Sequence, residues 1–151
     1  MAISLPKDAL LALAAVGWSD GTLDPAEGEA LLRTAKEAGL DADDVAEIER
    51  ATRQQLTIPE ITTVALSRKD RVLCYALATW LARLDGVVTT EERESLVLLG
   101  DRLGLPDGVR SRASAAAFEV AGLPAGDRPD RYDFAALEAR ILAKLGDVEA
   151  E

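Results

Sequence analysis

Two short acidic loops contain the residues of this chain whose types and spacing could support chemistry. Each loop begins with an Asp-Gly pair, at Asp20 and at Asp85, and a glutamate follows seven residues later, at Glu27 and Glu92. The two loops are 65 positions apart, and seven of the 21 positions from 20 to 40 are identical in the second copy. Carboxylate oxygens are the ligands that hard cations such as Ca²⁺, Mg²⁺ and Mn²⁺ prefer. The repeat therefore indicates a divalent-cation site.

The composition of the chain excludes several other kinds of site. There is no histidine, so histidine-based catalysis and histidine-bound zinc or haem are excluded. The single cysteine, Cys74, cannot form an internal disulfide or a cysteine-rich metal site, and we expect it to pack in the core. The net charge is −10 from 17 basic and 27 acidic residues, which argues against nucleic-acid binding because that depends on Lys and Arg. No nucleophile–base pair stands out, so we do not expect an enzyme.

A purely architectural role would also account for the glutamates. Asp24 and Glu27 have the spacing of a helix-capping box, and so do Thr89 and Glu92. Capping does not explain why an aspartate precedes each glycine, because the helix dipole disfavours a carboxylate at a helix C-terminus. Architecture is one of three interpretations that the residues leave open.

A degenerate EF-hand is the second interpretation. Asp20, Gly21, Leu23 and Glu27 match positions 5, 6, 8 and 12 of that calcium loop, and the second copy matches in the same way. Positions 1 and 3 do not match, because they hold side chains without a carboxylate: Val16, Trp18, Leu81 and Arg83. A single loop would therefore bind Ca²⁺ poorly.

A cation site shared between the loops is the third interpretation. A duplicated helical unit usually folds with a pseudo-twofold relation between its halves, which would bring both loops to the same side of the molecule. The predicted ligands are then Asp20, Glu27, Asp85 and Glu92, with Asp24 nearby. Like charges at such close range require a cation or open solvent.

The elements that must position these loops are predicted to be helices, because apolar residues recur at three- and four-residue spacing and strand signals are nearly absent. The predicted helices run from Ser4 to about Asp20 with Gly21 as the stop signal, from Asp24 to Gly39, from Asp41 to about Leu56, from Ser67 through Leu84, from Thr89 to Gly104, from Pro106 to about Ala121 and from about Asp133 to Leu145. A short helix is predicted from Thr57 to about Leu66. We therefore expect an all-α fold of about seven helices, with two pseudo-repeated helical hairpins in one compact bundle. The single domain would span 1–151, with repeat 1 at about 5–56, repeat 2 at about 68–122 and an extra C-terminal helix at about 133–146.

The segments DGTLDPAE at 20–27 and DGVVTTEE at 85–92, set within these helices, resemble the tellurite-resistance TerB family. The same domain type is appended to a membrane-anchored DnaJ-like co-chaperone. The resemblance covers roughly residues 5–122 and implies an all-α fold of two pseudo-repeats. It also implies an acidic patch for a divalent metal and a role in stress-response complexes, often at the inner face of a membrane, rather than catalysis.

Carried over by position, the family's acidic patch corresponds to Asp20, Glu27, Asp85 and Glu92. The residue before each aspartate is commonly alanine in the family but is serine or leucine in this chain. Thr89 also lacks the carboxylate that Asp24 provides in the first loop, so we expect the second half of the site to be the weaker one.

The sequence thus predicts a TerB-like, divalent-metal-binding interaction module with a protein partner, and leaves its oligomeric state open. The resemblance adds peripheral association with a membrane complex. A cytoplasmic location is expected, because the apolar run from Ala9 to Trp18 is shorter than the ~20 residues of a membrane span and is followed by Asp20 rather than a cleavage site. The alternative is a metal-free helical scaffold or adaptor whose acidic loops contact a basic partner.

Overall fold

A computed structural model describes residues 6–19, 21, 23–57, 66–83, 89–121 and 134–145 of the chain. Within these ranges the fold consists of helices and connecting turns, without a β-strand. The helices are α1 (Lys7–Gly17), α2 (Pro25–Glu37), α3 (Ala42–Arg53), α4 (Arg68–Arg83), α5 (Thr90–Arg102), α6 (Asp107–Ala121) and α7 (Phe134–Leu145). The predicted all-α fold of about seven helices is confirmed.

Helices α1 and α4, each of which packs against four other helices, form the centre of the bundle. Helix α1 packs against α2, α3, α4 and α5, and α4 packs against α1, α5, α6 and α7. Their largest fully buried side chains are Leu10, Leu13, Leu73, Leu77 and Trp80. Burial of such side chains stabilises the fold by roughly 1.5–3 kcal/mol each relative to exposure. Helices α1 and α4 also pack against each other, so the core of the bundle lies between them and their neighbours.

Local sequence signals mark where several of the helices begin and end. The side chain of Asp41 accepts a hydrogen bond of 2.8 Å from the N–H of Asp44, and the hydroxyl of Ser67 accepts one of 3.1 Å from the N–H of Asp70. Gly39 and Gly104, which follow α2 and α5, have φ values of +78° and +69°. Glycine adopts this left-handed conformation without strain and ends a helix there. The predicted start and stop signals of these helices are confirmed.

The predicted end of the first helix is wrong. Helix α1 ends at Gly17, three residues before the predicted end at about Asp20. The hydroxyl of Ser19 donates a hydrogen bond of 2.6 Å to the carbonyl oxygen of Val16, and the indole of Trp18 bonds to a distant helix. The Ser19 bond engages a main-chain carbonyl that a further turn of α1 would use, so it competes with continuation of the helix. Pro6 occupies the N-cap position, and the predicted cap Ser4 lies outside the described residues.

The end of the third helix also differs from the prediction. Helix α3 ends at Arg53, and Gln54 is extended, so Leu56 lies beyond the helix and not within it. Most of the short helix predicted at 57–66 lies outside the described residues, as do Leu84 and Asp133. The proposed repeat and domain boundaries stay predictions.

Cys74 is a core residue, as expected. It is fully buried in α4, and its Sγ donates a weak hydrogen bond of 3.6 Å to the carbonyl oxygen of Ala9. Burial, with a smaller contribution from the charge of Asp70, raises the pKa of the Cys74 thiol to about 12. The thiol is therefore protonated and unreactive at neutral pH.

Candidate functional site

The structure describes three of the five predicted ligands. Asp24 and Glu27 lie at the start of α2, and Glu92 lies at the start of α5. Asp20 and Asp85 lie outside the described residues. In both copies the glutamate is the third residue of its helix.

Asp24 is the exposed N-cap of α2. Its Oδ1 accepts a hydrogen bond of 2.9 Å from the main-chain N–H of Ala26, and Pro25 fills the first helical position. This confirms the predicted cap. A carboxylate has further lone pairs after accepting one such bond, so Asp24 retains acceptor capacity at the surface of the loop.

Glu27 is buried, with 7% of its surface exposed. A Cβ atom placed on Gly17 would lie 2.5 Å from Glu27 Oε2 and 3.2 Å from Glu27 Cδ. The carboxylate therefore rests directly against the last residue of α1, just before the first loop. Burial of a carboxylate is tolerated when hydrogen-bond donors or a cation surround it. Capping alone does not require such a buried position.

Glu92 has a different environment from Glu27, although the two are equivalent in the repeat. Glu92 Oε1 accepts a hydrogen bond of 3.1 Å from the N–H of Thr89, and the Thr89 hydroxyl accepts one of 3.1 Å from the N–H of Glu92. This reciprocal pair is the predicted capping box. Glu92 is only partly buried, and one of its oxygens is engaged in starting α5.

The first loop turns sharply after α1. Gly21 has a φ of +93°, and its N–H donates a hydrogen bond of 2.7 Å to the carbonyl oxygen of Trp18. A side chain at this position would strain the backbone, which explains the glycine of the first Asp-Gly pair. Gly86 of the second pair lies outside the described residues.

The visible carboxylates do not complete a metal site by themselves. Within the described ranges, no group of three or more acidic or cysteine side chains is placed so that it could hold a metal ion. Asp24, Glu27 and Glu92 thus do not form such a group, and a complete site would depend on Asp20 and Asp85. The five-residue ligand set stays a prediction.

The acidic start of α3 is partly neutralised by α1. Lys7 Nζ lies 2.9 Å from Glu47 Oε2 and 3.8 Å from Asp44 Oδ1. This close pairing with the Glu47 carboxylate is the main cause of a raised pKa for Lys7. Desolvation raises the pKa of neighbouring Asp8. This cluster belongs to the packing of α1 on α3 and involves none of the predicted ligands.

The basic residues at the start of α4 also have a structural role. Arg71 donates hydrogen bonds of 3.1 Å from Nε to the carbonyl oxygen of Leu66 and from a terminal nitrogen to that of Leu103. Its guanidinium thereby joins the start of α4 to the end of α5. Arg68, the first residue of α4, is exposed to solvent, whereas Arg71 is held by its bonds to the main chain.

Gly17 lies against Glu27, but the sequence did not predict it as part of the site. It ends an otherwise Ala-, Leu- and Val-rich helical run, where alanine would be the more favourable residue. Its φ lies outside the left-handed region, so the backbone conformation does not require glycine. A glycine in such a run signals close approach of another group, and in this fold that group is the Glu27 carboxylate.

Comparison of the chain with protein-family models, with curated proteins and with solved structures finds no match in any of the three. The similarity to the TerB family therefore stays a prediction that rests on the two loops. Of the helices in the described ranges, none has both the length and the apolar character needed to cross a membrane.

Proposed function

We propose that this protein is a TerB-like, divalent-cation-binding interaction module that acts in a stress-response complex of the tellurite-resistance type. The observation that carries the proposal is the duplicated Asp-Gly loop, with its glutamate at the third position of the following helix in both copies. The buried position of Glu27 beside the first loop supports it, because capping does not require that burial.

The proposed ligands are Asp20, Glu27, Asp85 and Glu92, with Asp24 at the edge of the site. Since no histidine is available, the ion would be held by oxygen atoms, which favours Ca²⁺, Mg²⁺ or Mn²⁺. The module would act by binding a protein partner in the cytoplasm, at times near a membrane complex, and without catalysis of its own.

Calorimetric titration of the metal-stripped chain with each of the three cations tests the proposal. We expect heat of binding in the wild type and its loss in the Glu27→Gln/Glu92→Gln double variant. The matched control is Glu29→Gln/Glu94→Gln, because these glutamates are exposed, lie on the same two helices and are also 65 positions apart. Both double variants remove the same charge, so general electrostatics affects them equally.

Thermal unfolding provides a second measurement. A cation that binds only the folded state stabilises it, by about 2.7 kcal/mol at a concentration 100 times Kd. The melting temperature of the wild type should therefore rise with cation, and that of the Glu27→Gln/Glu92→Gln variant should not. Absence of binding heat with all three cations, or equal loss in both double variants, would contradict the proposal.

A metal-free adaptor is the second candidate function. It is favoured by the capping bonds that already engage Asp24 and Glu92, and by the net charge of −10. An acidic surface would bind a basic partner in a manner that weakens with salt. Partner binding that is unchanged by chelator but lost at high salt would favour this function over the first.

A further inference from the structure

The two repeat-equivalent glutamates are not equivalent in the fold. Glu27 is 7% exposed and lies against the end of α1, whereas Glu92 is partly buried and uses Oε1 to accept a bond from the N–H of Thr89. Glu92 accepts its capping bond from its own helix start. The carboxylate of Glu27 lies against Gly17, a residue of a different helix, so its position depends on α1.

The residue of α1 that faces Glu27 is Gly17, which has no side chain. A Cβ atom on Gly17 would lie 2.5 Å from Glu27 Oε2, which is closer than real Cβ contacts allow. Glycine is otherwise a poor choice in a helix, because alanine loses less backbone entropy on folding. The left-handed conformation does not explain the glycine either, since Gly17 does not have a positive φ. Space for a neighbouring group is the remaining reason.

We propose that Gly17 is a positioning residue for the Glu27 carboxylate, and that cation binding depends on Glu27 more than on Glu92 as a result. The claim about cation binding rests on the proposed function above. The absent Cβ allows the Glu27 carboxylate to remain buried at the entrance of the first loop. A side chain at position 17 would require the flexible ends of Glu27 and Leu23 to move.

Leu23 shares this space and must be separated from Glu27 in any test. The same Cβ on Gly17 would lie 2.5 Å from Leu23 Cδ1. A Gly17→Ala variant therefore meets both an apolar and a charged neighbour. Shortening one neighbour at a time identifies which contact matters: Glu27→Asp withdraws the carboxylate by one methylene, and Leu23→Ala removes the apolar contact.

The first experiment measures Ca²⁺, Mg²⁺ and Mn²⁺ affinity by calorimetry. Gly17→Ala should weaken binding by roughly 10-fold or more, the usual effect of disturbing the groups that orient a ligand. Gly108→Ala is the matched control, because a Cβ on that helical glycine meets nothing within 4 Å. Glu27→Gln should weaken binding more than Glu92→Gln. Equal affinity of Gly17→Ala and wild type, or a larger loss in Glu92→Gln, overturns the inference.

Rescue distinguishes positioning from general damage to the fold. Adding Glu27→Asp to Gly17→Ala should restore part of the lost affinity, whereas adding Leu23→Ala should not. If Gly17→Ala alone does not fold, the Glu27→Asp double variant should fold and the Leu23→Ala double variant should not. If Leu23→Ala restores affinity or folding and Glu27→Asp does not, the contact that matters at Gly17 is the one with Leu23, and the inference is overturned.

The placement of Glu27 by Gly17 can also be tested without any cation. Urea unfolding of wild type, Gly17→Ala, Glu27→Asp and the double variant forms a double-mutant cycle. We expect the two substitutions to be coupled, with the double variant more stable than the sum of the single effects predicts. If the wild type binds no cation, the proposed function and the claim about cation binding fail together. Absence of coupling in the cycle, by contrast, overturns the placement of Glu27 by Gly17 whatever the cation result.

Discussion

The indole Nε1 of Trp18 donates a hydrogen bond of 2.8 Å to the main-chain carbonyl oxygen of Ala51. The two residues are 33 positions apart, so this bond joins the end of α1 to the last turn of α3. Carbonyl groups in the last turn of a helix lack partners within that helix. The indole satisfies one of them and fixes the direction in which the chain enters the first acidic loop.

Substitution of Trp18 by Phe should therefore destabilise the fold. Loss of the hydrogen bond should lower the free energy of unfolding by about 1 kcal/mol, with a further loss from the smaller ring. Urea unfolding followed by far-UV circular dichroism measures the change without relying on tryptophan fluorescence. Unchanged stability of Trp18→Phe would show that the bond between Trp18 and Ala51 makes no net contribution.

Arg110 should matter more for stability than its ion-pair partner. Its Nε donates a bond of 2.7 Å to the carbonyl oxygen of Leu105, and its terminal nitrogen lies 2.8 Å from Asp101 Oδ1. The side chain of Arg110 is 20% exposed, whereas that of Asp101 is 63% exposed. Arg110→Met should cost roughly 1–3 kcal/mol because a charged hydrogen bond is lost. Asp101→Asn should cost about 1 kcal/mol or less, as for exposed ion pairs.

Chemical denaturation of both variants, side by side, checks this order. Gly100→Ala is a useful third variant, because a Cβ at that position would lie 2.7 Å from Arg110 Nε. It should destabilise the chain, although alanine is normally favoured over glycine within a helix. A larger loss in Asp101→Asn than in Arg110→Met would contradict the role of Arg110 in joining α5 to α6.

Cys74 should react with thiol reagents only when the chain unfolds. The thiol is fully buried and its pKa is raised to about 12, so the native protein at pH 8 contains very little thiolate at this position. Labelling with Ellman's reagent should be slow in buffer and complete in denaturant. Adding increasing urea should accelerate labelling in parallel with unfolding measured by circular dichroism. Rapid labelling in buffer would mean that α4 opens locally around Cys74.

Lys7 should contribute stability that disappears at alkaline pH. Its pKa is raised in the folded state from the ordinary value of 10.5, chiefly by the close ion pair with Glu47. A raised folded-state pKa means that the contribution is fully present below pH 10.5 and is lost as the pH rises through the folded-state value. At pH 7, Lys7→Met should lower the free energy of unfolding by roughly 0.2–1 kcal/mol.

Urea unfolding of wild type and Lys7→Met at a series of pH values measures this difference. The gap between the two proteins should narrow as the pH rises above 10.5. Lys36→Met, an exposed position on α2, serves as the control for removal of a lysine charge. A gap that stays constant over the alkaline range, or one matched by the control, would contradict the role of the Lys7 and Glu47 pair.

The sequence by itself determined the fold class and most helix starts. Caps such as Ser67 and Thr89 act on main-chain groups within three residues, so the helix starts that they mark can be predicted from the local sequence. The same holds for Gly39, whose left-handed conformation ends α2. The placement of Trp18 at the end of α1 could not be predicted in this way, because its side chain bonds to a carbonyl group in α3, 33 positions away in the sequence.

Only the tertiary structure decided that Glu27 and Glu92 lie in different environments. The repeat assigns them the same position, and their local patterns both predict capping. Burial, however, depends on what packs onto a helix from elsewhere in the chain. The start of α2 meets the end of α1 at Gly17, and Glu27 is buried there, whereas Glu92 is only partly buried and accepts a bond from the N–H of Thr89. A repeated sequence pattern thus fixes which residues are available, and packing between helices decides what each of them contacts.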